Sequence, residues 1–150
     1  MPFDRLIRLV DEWARENTDT EMFAQIGKSD YQPKYMGFAN VLTRDAFDDY
    51  LGRSSAVVAH AGTGTIIQSL LAGKPLLVYP RLSRLSETRN DHQVGTARHF
   101  ASKGYVLAAF CEDEFIDAMR RLPEFDPRAK LGPSASSQLL CRLRGFASEA

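Results

Sequence analysis

The chain has 150 residues, enough for one domain with a core of its own. Its 44% hydrophobic and 25% charged residues are ordinary for a folded globular protein and exclude a low-complexity chain. The 19 basic and 19 acidic residues cancel, so no global field points to nucleic acid or to an anionic membrane. No apolar run approaches the ~20 residues of a membrane span. Asp4, Arg5 and Arg8 interrupt the first apolar residues, so no signal peptide is expected. Cys111 and Cys141 stand far apart and suit a reducing cytoplasm. Both are read as inert packing residues, with no metal site.

In chain order, Phe3, Leu6, Ile7, Val10, Trp13 and Ala14 recur at helical spacing. Asp4, Arg5, Arg8, Asp11, Glu12 and Arg15 take the opposite, polar face. A short strand is expected over 22–26, closed by Gly27, then a loop around Pro33 in which Tyr31 and Tyr35 line a cleft. A weaker strand follows over 38–42. Thr43 caps a helix that runs to Leu51, buries Phe47, Tyr50 and Leu51, and stops at Gly52.

Residues 56–59 form the next strand, which runs into His60-Ala61-Gly62-Thr63-Gly64-Thr65. Ile66, Ile67, Leu70 and Leu71 behind that turn have helical spacing, and Gly73 and Pro75 end the helix. Residues 75–79 are a near-continuous apolar run, as in a parallel strand covered on both faces. A polar loop over 81–90 holds Arg81, Arg84 and Arg89. It is read as solvated, with one of the three able to meet a diphosphate or an anionic acceptor. A helix over 91–102 turns Val94, Ala97 and Ala101 inward, and His99 near its end is structural. A strand over 105–110 precedes a helix with Glu112, Asp113 and Glu114 in its first turn and Arg120 and Arg121 in its last, which complements the helix dipole. The acidic run is a helix start, not a catalytic pair. Residues 1–123 make one domain, 124–135 a linker with Pro127, Gly132 and Pro133, and 136–150 a terminal helix with Leu139, Leu140, Leu143 and Phe146 on one stripe.

Strands alternating with helices predict an α/β fold, a Rossmann-like parallel sheet with helices on both faces. Ligands of such sheets bind at the carboxyl ends of the strands. The strand–turn–helix around His60 is therefore the leading site. A helix start offers unpaired N–H groups and about half a positive charge to an anion. Gly62 and Gly64 allow close approach, and Thr63 and Thr65 add hydroxyl donors. The bland alternative is a tight turn that binds nothing. Two familiar motifs fail: Ile67 stands where a dinucleotide fingerprint needs its third glycine, and Gly73-Lys74 is followed by Pro75 instead of Ser or Thr.

Together, Phe3-Asp4-Arg5-Leu6-Ile7, Phe23-Ala24-Gln25-Ile26-Gly27, His60-Ala61-Gly62-Thr63-Gly64-Thr65, Leu71-Ala72-Gly73-Lys74-Pro75-Leu76 and Asp91-His92-Gln93 resemble glycosyltransferase family 28. The resemblance is to its C-terminal half, the nucleotide-sugar half of the GT-B fold, and covers roughly residues 3–122. Most similar are the soluble small subunits of two-subunit enzymes, of the PssE type in exopolysaccharide synthesis and in the eukaryotic UDP-N-acetylglucosamine transferase.

The resemblance implies that His60, Gly62, Thr63, Gly64 and Thr65 cradle a donor diphosphate. It places Gln68 on the ribose, where the family usually has a glutamate, and Asp91, His92 and Gln93 on the donor sugar. It also implies a first strand ahead of residue 3 that is missing here, so that the sheet is rebuilt around a gap or the start lies upstream.

The function this implies is inverting transfer from a UDP-sugar to a polyprenyl-linked acceptor, with a membrane-anchored subunit holding that acceptor. The chain itself would be cytoplasmic, peripheral to the membrane through its partner. No cofactor or metal is expected beyond the UDP-sugar substrate, and no general base stands out. The alternative is a non-catalytic nucleotide-sugar-binding or regulatory module.

Overall fold

The computed structural model describes residues 1–127, Cys141 and Gly145. The elements run α1 (Asp4–Glu16), β1 (Phe23–Gln25), β2 (Gly37–Ala39), α2 (Arg44–Arg53), β3 (Val57–Ala59), α3 (Thr63–Leu71), β4 (Leu76–Val78), α4 (His92–Ser102), β5 (Leu107–Ala108) and α5 (Glu112–Arg121). Short 3-10 turns lie at Ser83–Leu85 and Leu122–Glu124. The fold is α/β, and every strand pair is parallel.

The second ladder shows the expected layering. Its order is β3-β4-β5. Successive side chains of a strand point to opposite faces. Leu77 and Tyr79 pack with Phe3, which precedes α1, with Leu6 and Leu9 of α1, and with Phe115, Ala118 and Met119 of α5. Leu76 and Val78 pack with Ile66, Ile67 and Leu70 of α3 and with Ala97 and Phe100 of α4. Helices thus cover both faces, and all three β4 residues are fully buried.

The single sheet expected from the sequence is divided in two. β1 pairs only with β2 in one ladder, and β3, β4 and β5 form another. The strands have two or three residues each, so neither ladder extends its backbone pairing across to the other. Helix α1 touches both: Leu6 and Leu9 join the β4–β5 core, while Ile7 and Ala14 pack with Ile26 and Met36 beside β1–β2.

Several sequence expectations change. Asp11 is fully buried, not on a solvent face. Its carboxylate accepts from the Tyr31 hydroxyl at 2.6 Å and from the backbone N–H groups of Lys34 and Tyr35 at 3.0 and 2.8 Å. Tyr31 therefore seals Asp11 and does not line a cleft, whereas Tyr35 is exposed. Helix α2 is capped by Thr43 as expected but buries no residue, and Phe47, Tyr50 and Leu51 are half-covered. It passes through Gly52 to Arg53, where the Lys74 ammonium donates to the carbonyls of Gly52 and Ser54. The inward face of α4 is Gln93, Thr96, Ala97 and Phe100. Cys111 and Cys141 are exposed. The expected linker beyond residue 127 and the terminal helix fall outside the described residues, apart from Cys141 and Gly145.

Candidate functional site

Strand β3 ends at Ala59, and His60 stands at its carboxyl end. The chain turns at once: the Gly62 N–H donates to the His60 carbonyl at 2.8 Å. The imidazole lies back against this turn. A Cβ placed on Gly62 would be 2.2 Å from His60 Cε1 and 2.8 Å from Nδ1, so only glycine fits under the ring. Over Gly64 the reverse holds, because a Cβ there would meet nothing within 4 Å. Gly62 is the N-cap of α3 and no side chain caps that helix. Its first-turn N–H groups remain for solvent or an anion. Gln68 is half-buried one turn further on. It follows Gly64 by four positions and Thr65 by three, which sets all three on one face.

The second wall comes from the carboxyl end of β4. Arg81 donates its backbone N–H to Gln93 Oε1 at 3.2 Å, which ties the loop after β4 to the first turn of α4. Gln93 is buried and also acts on the His60 imidazole. Burial, and behind it the charge of Arg81, holds that imidazole below the ordinary histidine range; Gln93 opposes them. The ring is therefore neutral near pH 7. His60 Nδ1 and Arg81 Nε are buried without a hydrogen-bond partner. Buried polar atoms are rarely left so.

The loop over 81–90 is built on a pair that the sequence did not reveal. Glu87, buried, takes two hydrogen bonds from Arg5, Nε to Oε1 at 2.9 Å and Nη2 to Oε2 at 2.8 Å. Its Oε2 also accepts from the Leu82 N–H at 2.9 Å. Arg5 Nη2 reaches the Pro80 carbonyl and the guanidinium lies 4.3 Å from the Tyr79 ring centroid. Arg81 Nη1 donates to the carbonyls of Met1 and Glu87, with its guanidinium 5.1 Å from the Phe3 ring centroid. These contacts join the start of α1 to the end of β4.

The Asp91, His92 and Gln93 segment divides. Asp91 Oδ1 accepts from the Ser83 N–H at 2.7 Å, which holds its carboxyl below the usual range and closes the loop on itself. His92 is exposed and contacts Asn90 Oδ1. Only Gln93 is directed inward, to Arg81 and His60. The structure thus brings His60, Gly62, Thr63, Gly64, Thr65, Gln68 and Gln93 to one strand end and adds Arg81. Asp91 and His92 stand on the loop side of α4. Among the described residues no group of three or more His, Cys, Asp or Glu side chains gathers as a metal site would.

The glycosyltransferase family 28 C-terminal domain matches residues 1–138. The chain belongs to glycosyltransferase family 28. It is 34% identical over 95 residues to UDP-N-acetylglucosamine transferase subunit ALG13 of Cryptococcus neoformans var. neoformans serotype D, covering 62% of this chain and 46% of that one. The ALG13 subunit of Candida glabrata is 33% identical over 92 residues, with 61% and 44% covered. The UDP-N-acetylglucosamine--N-acetylmuramyl-(pentapeptide) pyrophosphoryl-undecaprenol N-acetylglucosamine transferase of Staphylococcus aureus is 31% identical over 101 residues, with 67% and 27% covered. The chain spans less than half the length of each of these curated relatives.

Among solved structures, the glycotransferase of kitacinnamycin superposes with a TM-score of 0.59 at 21% identity, covering 95% of this chain and 34% of that one. This likeness supports the fold. Within the family 28 domain, a side chain on Gly62 would force the His60 ring to shift, whereas Gly64 is the residue whose missing side chain leaves space over the helix start.

Proposed function

We propose that this family 28 domain binds the UDP-sugar donor of a two-component inverting glycosyltransferase, which moves the sugar to a lipid-linked acceptor held by a membrane-anchored partner. One observation carries the reading. An uncapped α3 start opens at the carboxyl end of β3, with the space over Gly64 empty and two buried nitrogens, from His60 and Arg81, unpartnered beside it. Its chemistry suits a diphosphate. The names of the relatives supply the uridine nucleotide and the lipid-linked acceptor as classes to test.

In this reading the first-turn N–H groups and the hydroxyls of Thr63 and Thr65 hold the diphosphate, and Gln68 reaches the ribose. The sugar then lies toward Gln93, Asp91 and His92. Negative charge builds on the diphosphate as the glycosidic bond to it breaks, and the helix start stabilises that charge without reorganising. The acceptor hydroxyl needs a general base, and we assign that group to the partner. No cofactor is needed for such a transfer.

Calorimetric titration with UDP, UDP-glucose, UDP-glucuronate and UDP-N-acetylglucosamine, with and without a candidate partner, tests the reading. Gly64→Val is expected to leave the fold intact, since a side chain there meets open space, and to weaken UDP binding at least tenfold, about 1.4 kcal/mol. An unchanged affinity in the folded variant would place the site elsewhere. Gln68→Ala is expected to cost roughly 1 kcal/mol of UDP binding for one lost net hydrogen bond, and Gln68→Glu to keep or improve it.

The second reading is a nucleotide-sugar-binding module without catalysis. Gln68, where the family usually carries a glutamate, favours it. UDP binding with no sugar transfer in the presence of a partner that restores transfer to a related subunit would decide for it.

A further inference from the structure

We propose that Arg81 is an anion-binding residue of this site, placed to take a diphosphate oxygen together with His60 and the start of α3. The inference rests on the donor reading above and adds a residue and a charge to it. The nearest acid to Arg81 is Glu87, but both oxygens of that carboxylate are taken by Arg5, and one of them by the Leu82 N–H as well. The Arg81 guanidinium donates only to the Glu87 and Met1 carbonyls, both from Nη1, and its Nε is buried with no acceptor. Among the described residues it forms no ion pair, although other arginines do, Arg5 among them.

A half-buried guanidinium without a counter-ion is a costly arrangement. Burial indeed pulls its pKa down, with only partial compensation from Glu87. The charge nonetheless persists at pH 7, because a guanidinium does not give up its proton in proteins. A second unpartnered nitrogen, His60 Nδ1, belongs to a ring close enough for the Arg81 charge to act on it. That ring lies against Gly62, the cap of α3.

A cation short of an anion, a neutral histidine with its Nδ1 unpartnered and a helix start short of a side-chain cap therefore occupy neighbouring positions. One ligand relieves all three: a doubly charged, oxygen-rich anion. Arginine suits the task, since its planar fork meets phosphate oxygens two at a time. The stack of its guanidinium on Phe3 and the tether of its backbone to Gln93 hold it in place before the ligand arrives. The sequence placed Arg81, Arg84 and Arg89 together as loop cations. Of these, Arg84 and Arg89 are exposed and only Arg81 is drawn inward.

The test is calorimetry on the full chain with inorganic pyrophosphate, UDP and uridine, for the parent, Arg81→Gln and Arg81→Lys. Arg81→Gln is expected to weaken pyrophosphate and UDP at least tenfold and to leave uridine within twofold, in a chain that still melts cooperatively. Arg81→Lys should recover part of the loss. Binding of both anions within twofold of the parent by folded Arg81→Gln overturns the proposal. So does an equal loss of uridine and UDP, which would mark a residue that only shapes the fold. Should Arg81→Gln not fold, modification of the parent by phenylglyoxal decides: pyrophosphate must protect Arg81, and lack of protection overturns the proposal. A parent that binds pyrophosphate but not UDP or uridine removes the nucleotide reading and keeps the role of Arg81. A parent that binds UDP while Arg81→Gln binds it equally removes Arg81 alone.

Discussion

The two ladders share parallel pairing and differ in almost everything that surrounds it. In β3-β4-β5 the middle strand is sealed between α1 and α5 on one face and α3 and α4 on the other, with Leu76, Leu77 and Val78 all at 0% exposure. In β1-β2, α1 covers one side, but Phe23 and Phe38 remain 37% and 38% exposed. The helix that follows, α2, stacks Tyr50 on Phe23. Both walls of the candidate site hang from the sealed ladder: His60 follows β3 and Arg81 follows β4. A site that must hold charged groups short of partners is built where packing fixes its supports. The outer ladder instead relies on a polar anchor, Asp11, to hold the chain that leads into β2.

That contrast can be broken at its strongest point first. Leu77→Ala should cost about 2–5 kcal/mol, the range for emptying a fully buried leucine site, read as a shift in the urea midpoint. Asp11→Ala comes next, at about 3 kcal/mol, because it strips the acceptor from the Tyr31 hydroxyl and from the backbone N–H groups of Lys34 and Tyr35. Asp11 also sets a pH dependence. Burial pushes its pKa up, but hydrogen bonds from Tyr31, Lys34, Tyr35 and Met36 outweigh that and leave it lowered. A lowered acid contributes its full stability above its unfolded value, about 3.9, and loses it as the pH falls through the folded value. Melting curves of the parent should therefore drop in acid below about pH 4, and Asp11→Asn should lack that part of the drop.

Glu87→Gln should cost about 1.5 kcal/mol through the weakened charged pair with Arg5, checked by thermal melting. Phe38→Ala is the smallest of the set, below about 1 kcal/mol for a partly exposed side chain. A cost for Phe38→Ala equal to that of Leu77→Ala would mean that the outer ladder is as tightly packed as the inner one.

Much of this arrangement was legible in the sequence. The turn after β3 reads plainly, since an apolar run, two glycines and a helical repeat follow one another without a break. The start of α5 is likewise written in its acidic first turn. The rotated face of α4 was not legible, because it buries Gln93 and Thr96, and these are acceptable inside only through partners: the Arg81 N–H of another segment for one, the His92 carbonyl one turn back for the other. Asp11 was assigned to the polar face of α1 because nothing near it in sequence predicts donors 20 or more residues away. The Arg5–Glu87 pair joins residues 82 positions apart, beyond any periodicity. The division of the sheet was equally hidden, since strands this short give a pattern of alternation too brief to fix their neighbours.

Helix α1 has a consequence for how the chain acquires its structure. It stands near the beginning of the sequence, yet Phe3 stacks on Tyr79 and shares a core with Phe115. Its apolar stripe therefore leaves the ribosome roughly sixty to seventy residues ahead of the strand it covers, several seconds early at about 5–20 residues per second. A helix in that interval exposes Leu6, Leu9 and Trp13 to whatever is near. Contacts that close such long loops come late and slowly. Nascent chains stalled before β4 are thus the species expected to engage chaperones, and release should coincide with the emergence of Leu77 and Tyr79.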